Sequence, residues 1–306
     1  MRKPIEIAVI SGKGGTGKTV LTSALTFLAT SKVTADCDVD APDMHLLLQP
    51  EIRREEDFTG NGCARIDELK CTACGKCAEV CRYDAVRDGD GDAAAYSVDP
   101  LECEGCGVCV WMCPERAIDL QASVGGKWFV SDTRFGKLVH AQLNPAQENS
   151  GKLVTLVRRE ARLLAEREGI DLVIIDGPPG IGCPVIASIA GADLVVVVTE
   201  PTMSGLHDLD RVFGLTAHFG LKPAVVINKY DLNEQVSANI ERRVVDSGGL
   251  FVGSIPFAAE VKDAVAAGKT ILEHDGGEVS RAVRAVAAKI ISAAAATRKS
   301  PQSPNG

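Results

Sequence analysis

The stretch GKGGTGKT, Gly12 to Thr19, places glycine, four residues, glycine, lysine and threonine at the spacing of a phosphate-binding loop. In such a loop Gly12, Gly14, Gly15, Gly17 and the intervening Thr16 let backbone N–H groups converge on phosphate oxygens. Lys18 neutralises the terminal phosphates, and the Thr19 hydroxyl holds Mg2+ at the start of the following helix. LVIIDGPPG sets Asp176 at the end of an apolar run, where a carboxylate can hold Mg2+ through water. Asp36, Asp38, Asp40 and Asp43 crowd the end of another run, and a carboxylate there can orient an attacking water. Together these residues imply Mg-ATP binding and phosphoryl transfer to water. Lys13 is not needed for the cradle and by itself reads as a solvated loop lysine.

A second chemistry sits in the cysteines. Of 11, eight form two runs, Cys71, Cys74, Cys77 and Cys81, then Cys103, Cys106, Cys109 and Cys113. Both runs have the same spacing, so this part of the chain is an internal duplication. In a reducing compartment such runs are metal ligands rather than disulfides. Structural zinc is the competing reading, although zinc usually takes paired Cys-x2-Cys knuckles. Cys37, Cys63 and Cys183 remain, each by default a small buried apolar residue.

The elements that must position these residues are legible from periodicity. Ile5 to Ile10 predicts a strand, Gly12 to Thr19 a loop and VLTSALTFLATS a helix. A second strand is expected over Val33 to Asp40, with others at LVIID, Leu194 to Thr199, Ala224 to Asn228 and Phe251 to Ile255, separated by helix-length segments. This alternation predicts an α/β fold, a doubly wound, mainly parallel sheet of the P-loop NTPase kind, interrupted by a small α+β cysteine-rich domain. The expected divisions are 1–57 for the first part of the nucleotide-binding domain, 58–136 for the insert with its flanking strands, 137–298 for the second part and 299–306 for a disordered tail. The insert thus enters after the cluster of aspartates and before Asp176.

Hydrophobic residues make up 45% of the 306, enough for a sizeable core. The net charge of -8 argues against nucleic acid or an anionic membrane as a partner, although an acidic face could recognise a basic protein. No secretion signal or bilayer-length apolar run is visible, so a cytoplasmic protein without membrane insertion is expected.

Resemblances extend these readings. The cysteine runs are similar to those of bacterial two-cluster ferredoxins, in which the fourth cysteine of each run ligates the other cluster. That resemblance implies two 4Fe-4S clusters per chain, one on Cys71, Cys74, Cys77 and Cys113, the other on Cys103, Cys106, Cys109 and Cys81. Pro114 follows the pattern, whereas Arg82 stands where ferredoxins usually have proline.

KGGTGKT resembles the deviant P-loop of the MinD/ParA family, which includes the nitrogenase iron protein. By that resemblance Lys13 reaches the partner subunit's nucleotide in an ATP-dependent homodimer, or in a heterodimer with a paralogous ATPase. Asp38 matches the second switch-one aspartate, Gly180 resembles the second switch, Asn228 the adenine-recognising position, and Pro256 lies in the loop that packs on the base. Cys183, placed after Asp176 much as in the nitrogenase iron protein, implies an additional dimer-interface metal or cluster. The function implied is an ATPase that couples nucleotide state to electron transfer or metallocluster assembly on a redox partner. The alternative is a MinD-like positioning ATPase that uses the ferredoxin module as a redox-sensing or structural platform. Members of this group are also labelled cobyrinic acid diamide synthases, but no nucleophile cysteine motif of an amide-nitrogen source accompanies the P-loop here.

Overall fold

The computed structural model describes residues 3–89, 94–144, 150–274 and 277–297; the tail expected at 299–306 lies outside them. IEIAVIS forms strand β1 (Ile5–Ser11) and is buried along its whole length, the requirement for a strand covered by helices on both faces. In chain order follow α1 (Lys18–Leu28), β2 (Lys32–Asp36), α2 (Met44–Leu48) and β3 (Glu51–Thr59). The cysteine-rich stretch contributes β4 (Cys63–Ile66), α3 (Lys76–Glu79), β5 (Val86–Arg87), β6 (Ser97–Val98), α4 (Val108–Met112) and β7 (Ile118–Gln121). Then come β8 (Val124–Thr133), β9 (Gly136–Leu143), α5 (Ser150–Glu168), β10 (Leu172–Pro179), α6 (Cys183–Ile189), β11 (Leu194–Thr199) and α7 (Met203–His218). The chain closes with β12 (Ala224–Asn228), α8 (Glu234–Asp246), β13 (Leu250–Ile255), α9 (Glu260–Ala266), α10 (Ile271–His274) and α11 (Glu278–Thr297).

The main sheet has nine strands in the order β13-β12-β11-β1-β10-β2-β9-β8-β3. From β13 to β9 every neighbouring pair is parallel. Its register sets Val9 beside Asp176 and Asp176 beside Asp36, so the phosphate loop and two carboxylates meet at the carboxyl ends of adjacent strands. Open α/β sheets bind ligands at that place, where the strand order reverses. Leu21 and Leu25 of α1 pack with Val286 and Ile290 of α11 against Ile7, Ile174 and Val226 of the sheet. Their near-complete removal from water is the main favourable contribution to this core.

Strand β2 stops at Asp36 and does not extend to Asp40. The Cys37 N–H makes a last ladder bond to the Asp176 carbonyl at 2.8 Å, and the Asp36 carboxylate then takes the N–H groups of Asp38 at 3.2 Å and Met44 at 3.3 Å, which turns the chain out of the sheet. Asp38, Asp40 and Asp43 therefore sit on a loop rather than a strand end.

Two compact units divide the chain, one of residues 1–55, 129–141 and 150–306, the other of 56–128 and 142–149. The larger unit takes in 137–141, as expected, and also 129–136, which were expected at the end of the insert; β9 within it pairs in parallel with β2 from Val33↔Lys137 to Ala35↔Val139. No helix among the described residues is long and apolar enough to cross a membrane.

In the larger unit, His140 of β9 stacks on Phe129 of β8 at 4.9 Å between ring centres, and its Nε2 lies 2.9 Å from Ser131 Oγ. Burial, with a smaller contribution from His45, pushes the imidazole down to about 4 from an ordinary 6.5. The unfolded chain therefore takes the proton first as pH falls. Stability is full above pH 6.5, declines between 6.5 and 4, and is level below. The decline is worth up to about 3 kcal/mol, and His140→Phe is expected to remove it. Urea unfolding midpoints at pH 7 and pH 4.5 measure the difference.

Candidate functional site

The phosphate loop owes its path to close packing. A Cβ on Gly12 would stand 2.5 Å from Asp208 Cβ, and one on Gly17, which sits at φ 91, would stand 2.3 Å from Asn228 Nδ2. Neither position tolerates a side chain. Asn228 Nδ2 donates to the Thr16 carbonyl at 2.7 Å and Lys229 Nζ to the Gly15 carbonyl at 3.2 Å, which tie the end of β12 to the loop. The Thr16 hydroxyl is buried with no hydrogen-bond partner, the kind of orphaned polar atom that a phosphate oxygen satisfies.

Lys18 Nζ stands 2.9 Å from Asp176 Oδ2 and 3.5 Å from Asp38. Thr19 Oγ1 donates to Asp176 Oδ2 at 2.8 Å and Thr22 Oγ1 to Asp176 Oδ1 at 2.6 Å. Burial alone would lower the Lys18 ammonium, but Asp176, Asp38 and Asp36 outweigh it and hold it above its ordinary value. Burial, then the neighbouring Asp176, pushes Asp36 well above the usual carboxylate range, and burial raises Asp38 as well. One lysine thus serves three carboxylates in a nearly dry pocket, charged and ready for a more strongly anionic ligand.

An open cleft of about 610 Å3 is lined by Gly14 to Thr19, Asp38, Asp40 and Pro178. It shares Gly15, Gly17 and Val20 with a second, mostly apolar cavity of about 210 Å3, lined by Asn228, Ile255, Pro256 and Phe257. A polar end suited to phosphates and an apolar end suited to a base therefore adjoin at the loop, and Asn228 and Pro256 fall in the base half.

Two of the expected contact residues are engaged within the chain. The Gly180 N–H donates to the Ser11 carbonyl at 2.8 Å, so it is engaged within the sheet end. Lys13 Nζ folds back onto its own chain, 3.3 Å from Thr202 Oγ1, 3.4 Å from Ser204 Oγ and 3.5 Å from Glu200. Glu200 also pairs with Lys229. Sequence reasoning did not single out Glu200 or Lys229, yet each is a charge at the end of an apolar strand, the same signal that marked Asp176. Glu6 carried a similar signal as a charge within an apolar run; it is buried and takes a 2.6 Å hydrogen bond from Arg158 Nε of α5.

The smaller unit is built twice over. Ala73 and Gly105, Gly75 and Gly107, and Asp84 and Arg116 all have positive φ, each pair 32 positions apart, with α3 and α4 beginning at matching points. The repeat brings the cysteines into two cavities. One is lined by Cys71, Cys74, Cys77 and Cys113. The other is lined by Cys103, Cys106, Cys109 and Cys81. The Ala117 N–H donates to Cys113 Sγ at 3.3 Å and the Ala64 N–H to Cys103 Sγ at 3.5 Å. The buried core between the cavities is small, with Ala64, Ile66, Cys77 and Ile118 packed against Cys71, Cys103, Cys109 and Cys113. Among the described residues no three His, Cys, Asp or Glu side chains are gathered so as to hold a metal ion. Cys37 is buried, Cys63 half-buried, and Cys183 is exposed at the start of α6.

A parallel sheet whose central strand runs into a glycine loop, with lysine and carboxylates meeting at the adjacent strand end, defines a P-loop nucleotide-binding protein. Within that class the chain belongs to the CobQ/CobB/MinD/ParA nucleotide binding domain family, which matches residues 7–271. It is similar to an uncharacterized protein of Methanocaldococcus jannaschii, 31% identical over 94% of this chain and 96% of that one. Among solved structures, the cell division ATPase MinD of Pyrococcus furiosus superposes with a TM-score of 0.57 at 15% identity, covering 94% of this chain and 99% of that chain. The septum site-determining protein MinD of Pyrococcus horikoshii, complexed with Mg-ADP, gives 0.57 at 14% identity over 96% and 98% of the two chains. At such identities the superpositions establish the fold.

Proposed function

We propose that the protein is a dimerising Mg-ATPase that couples nucleotide state to electron transfer or metallocluster assembly on a partner through two 4Fe-4S clusters. The observation that carries the cluster half is the lining of the two cavities: three cysteines of one run and the fourth of the other, in both. Two places that each draw three cysteines from one run and the fourth from the other match a pair of cubane clusters rather than two separate zinc knuckles. A unit with so small a core also needs a staple.

When bound, the clusters supply one-electron redox chemistry. The chain's own contribution is eight thiolates, with N–H donors at Cys103 and Cys113 that tune potential. At the nucleotide, Thr19 and Asp176 would hold Mg2+, Lys18 the terminal phosphates, and Asp38 the attacking water. The Mg-ADP complex of the MinD structure supports that ligand class.

Anaerobic reconstitution should give eight irons per chain, and ATP should change cluster potential or the rate of transfer to an acceptor. Zinc in place of iron would sink the cluster assignment. Intact clusters indifferent to nucleotide would favour a second reading, suggested by the MinD neighbours, of a positioning ATPase with the cysteine unit as a platform.

Lys13 supplies a further test of the dimer. For it to reach a second nucleotide it must leave Glu200, Thr202 and Ser204. The pair is half-buried and Glu200 is shared with Lys229, so its net worth is on the order of 1 kcal/mol. Glu200→Gln is therefore expected to raise the ATP-dependent dimer fraction by up to about fivefold in sedimentation velocity. Adding Lys13→Ala should cancel the gain.

A further inference from the structure

The charge of the chain is not spread evenly. The smaller unit, residues 56–128 and 142–149, carries 15 Asp and Glu against 7 Lys and Arg, whereas the rest carries 26 of each. The whole net charge of -8 therefore resides in the cysteine unit.

That acidic unit also exposes an apolar face. Val108, Trp111 and Met112 occupy positions i, i+3 and i+4 of α4, one side of a helix turn, and none of the five α4 residues is buried. Trp111 is 88% exposed, against 4% for Trp128. Leu120 of β7, 43% exposed, adjoins this turn, since a Cβ on Gly107 would meet its Cδ1 at 3.4 Å. A tryptophan left almost wholly in water has no role in the core, and large aromatics of this kind anchor interfaces. Exposed Glu102, Glu115 and Asp119 lie on the same segment.

The helix is placed for redox work. Cys109 within it lines one cysteine cavity, and Cys113 just beyond lines the other. The matching α3 bridges the cavities in the same way through Cys77 and Cys81, but carries Lys76 and Glu79 where α4 carries Val108 and Trp111.

We infer that the outer face of α4, with Trp111 at its centre and carboxylates around it, is the docking surface for a basic redox protein that offers an apolar spot within a cationic rim. Charge selects this occupant. The same surface of a second copy would bring together two units of like sign, and nucleic acid or an anionic membrane would meet the same repulsion. A cationic protein is steered in, and the desolvated tryptophan then holds it close to both cavities. The inference rests on the cluster reading for its purpose, but binding itself needs only the surface.

The test uses the reconstituted full chain, its clusters first reduced with dithionite and the excess removed so that each can pass one electron on, and oxidised cytochrome c, a small basic haem protein, as the probe. Calorimetry gives the Kd at low and high salt, stopped flow gives the rate of cytochrome c reduction, and iron analysis reports the clusters separately. The Kd is expected to weaken by about tenfold between 20 and 200 mM salt. Trp111→Ala should weaken binding by about tenfold and slow reduction. A Glu102→Lys/Glu115→Lys double variant should do the same, with iron content and reduction of a small neutral acceptor unchanged in both. Loss of iron with salt-dependent binding intact would discard the clusters and keep the surface. Equal behaviour of wild type and both variants, through equal binding or none, overturns the docking surface.

Discussion

Lys18→Met is expected to weaken ATP binding by about 100-fold or more and to make the stability of the folded chain depend on pH in a new way. The first effect follows from the loss of the cation aimed at the terminal phosphates. The second follows from its other neighbours. Lys18 is the ammonium 2.9 Å from Asp176 and 3.5 Å from Asp38, and its charge also lowers the already raised Asp36. Without it, three carboxylates share a pocket in which Asp36 and Asp176 are almost fully buried. The folded values of Asp36 and Asp38, already raised, then rise further above those of the unfolded chain. Stability contributed by carboxylates raised in this way is complete below about pH 4 and is lost as pH rises through the folded values. The variant should accordingly unfold at lower urea at pH 8 than at pH 5. Adding Asp38→Asn removes one charge and should recover part of the stability, with no recovery of ATP binding. Equal urea midpoints at the two pH values would show that Lys18 does not hold the carboxylates together.

The parts of the fold that could be read in advance were those fixed by local chemistry. β1, the phosphate loop and α1 follow from one apolar run and one glycine motif, and β11 and β12 from runs too short for helices yet apolar throughout. The early end of β2 was not legible, because it depends on the Asp36 carboxylate taking the N–H groups of Asp38 and Met44 once the strand leaves the Asp176 carbonyl. The place of residues 129–136 was equally hidden. Alternation in β8 and β9 marks a hairpin but not its partner, and β9 finds β2 across the whole cysteine insert. In the site, Lys18, Thr19 and Asp176 were fixed by motif, whereas Glu200 matters only because tertiary structure brings Lys13 and Lys229 to it. Arg158 was hidden for a similar reason. It reads as one more charge on a basic helix, and only the structure buries it against Glu6 and the carbonyls of Ala187 and Ala190.

The cysteine runs permit a prediction that spacing alone leaves open and that cluster number alone does not settle. If the two cavities hold the clusters, Cys113 belongs with Cys71, Cys74 and Cys77, and Cys81 with Cys103, Cys106 and Cys109. Cys113→Ala is then expected to halve the iron, from eight per chain to four. The decisive comparison is between two double variants. Cys74→Ala/Cys113→Ala strikes one cavity twice and should still leave four irons. Cys106→Ala/Cys113→Ala strikes each cavity once and should leave none. If each run instead held its own cluster, the two results would exchange. The smaller unit should also loosen stepwise with iron loss, because its few buried apolar residues pack directly on cysteines. Proteolysis within 56–128 reads that loosening. ATP binding should survive throughout, altered by no more than the coupling between nucleotide and clusters, since every residue lining the nucleotide cleft lies in the other unit. A cysteine variant that lost iron and nucleotide together would mean that the two chemistries share a folding unit.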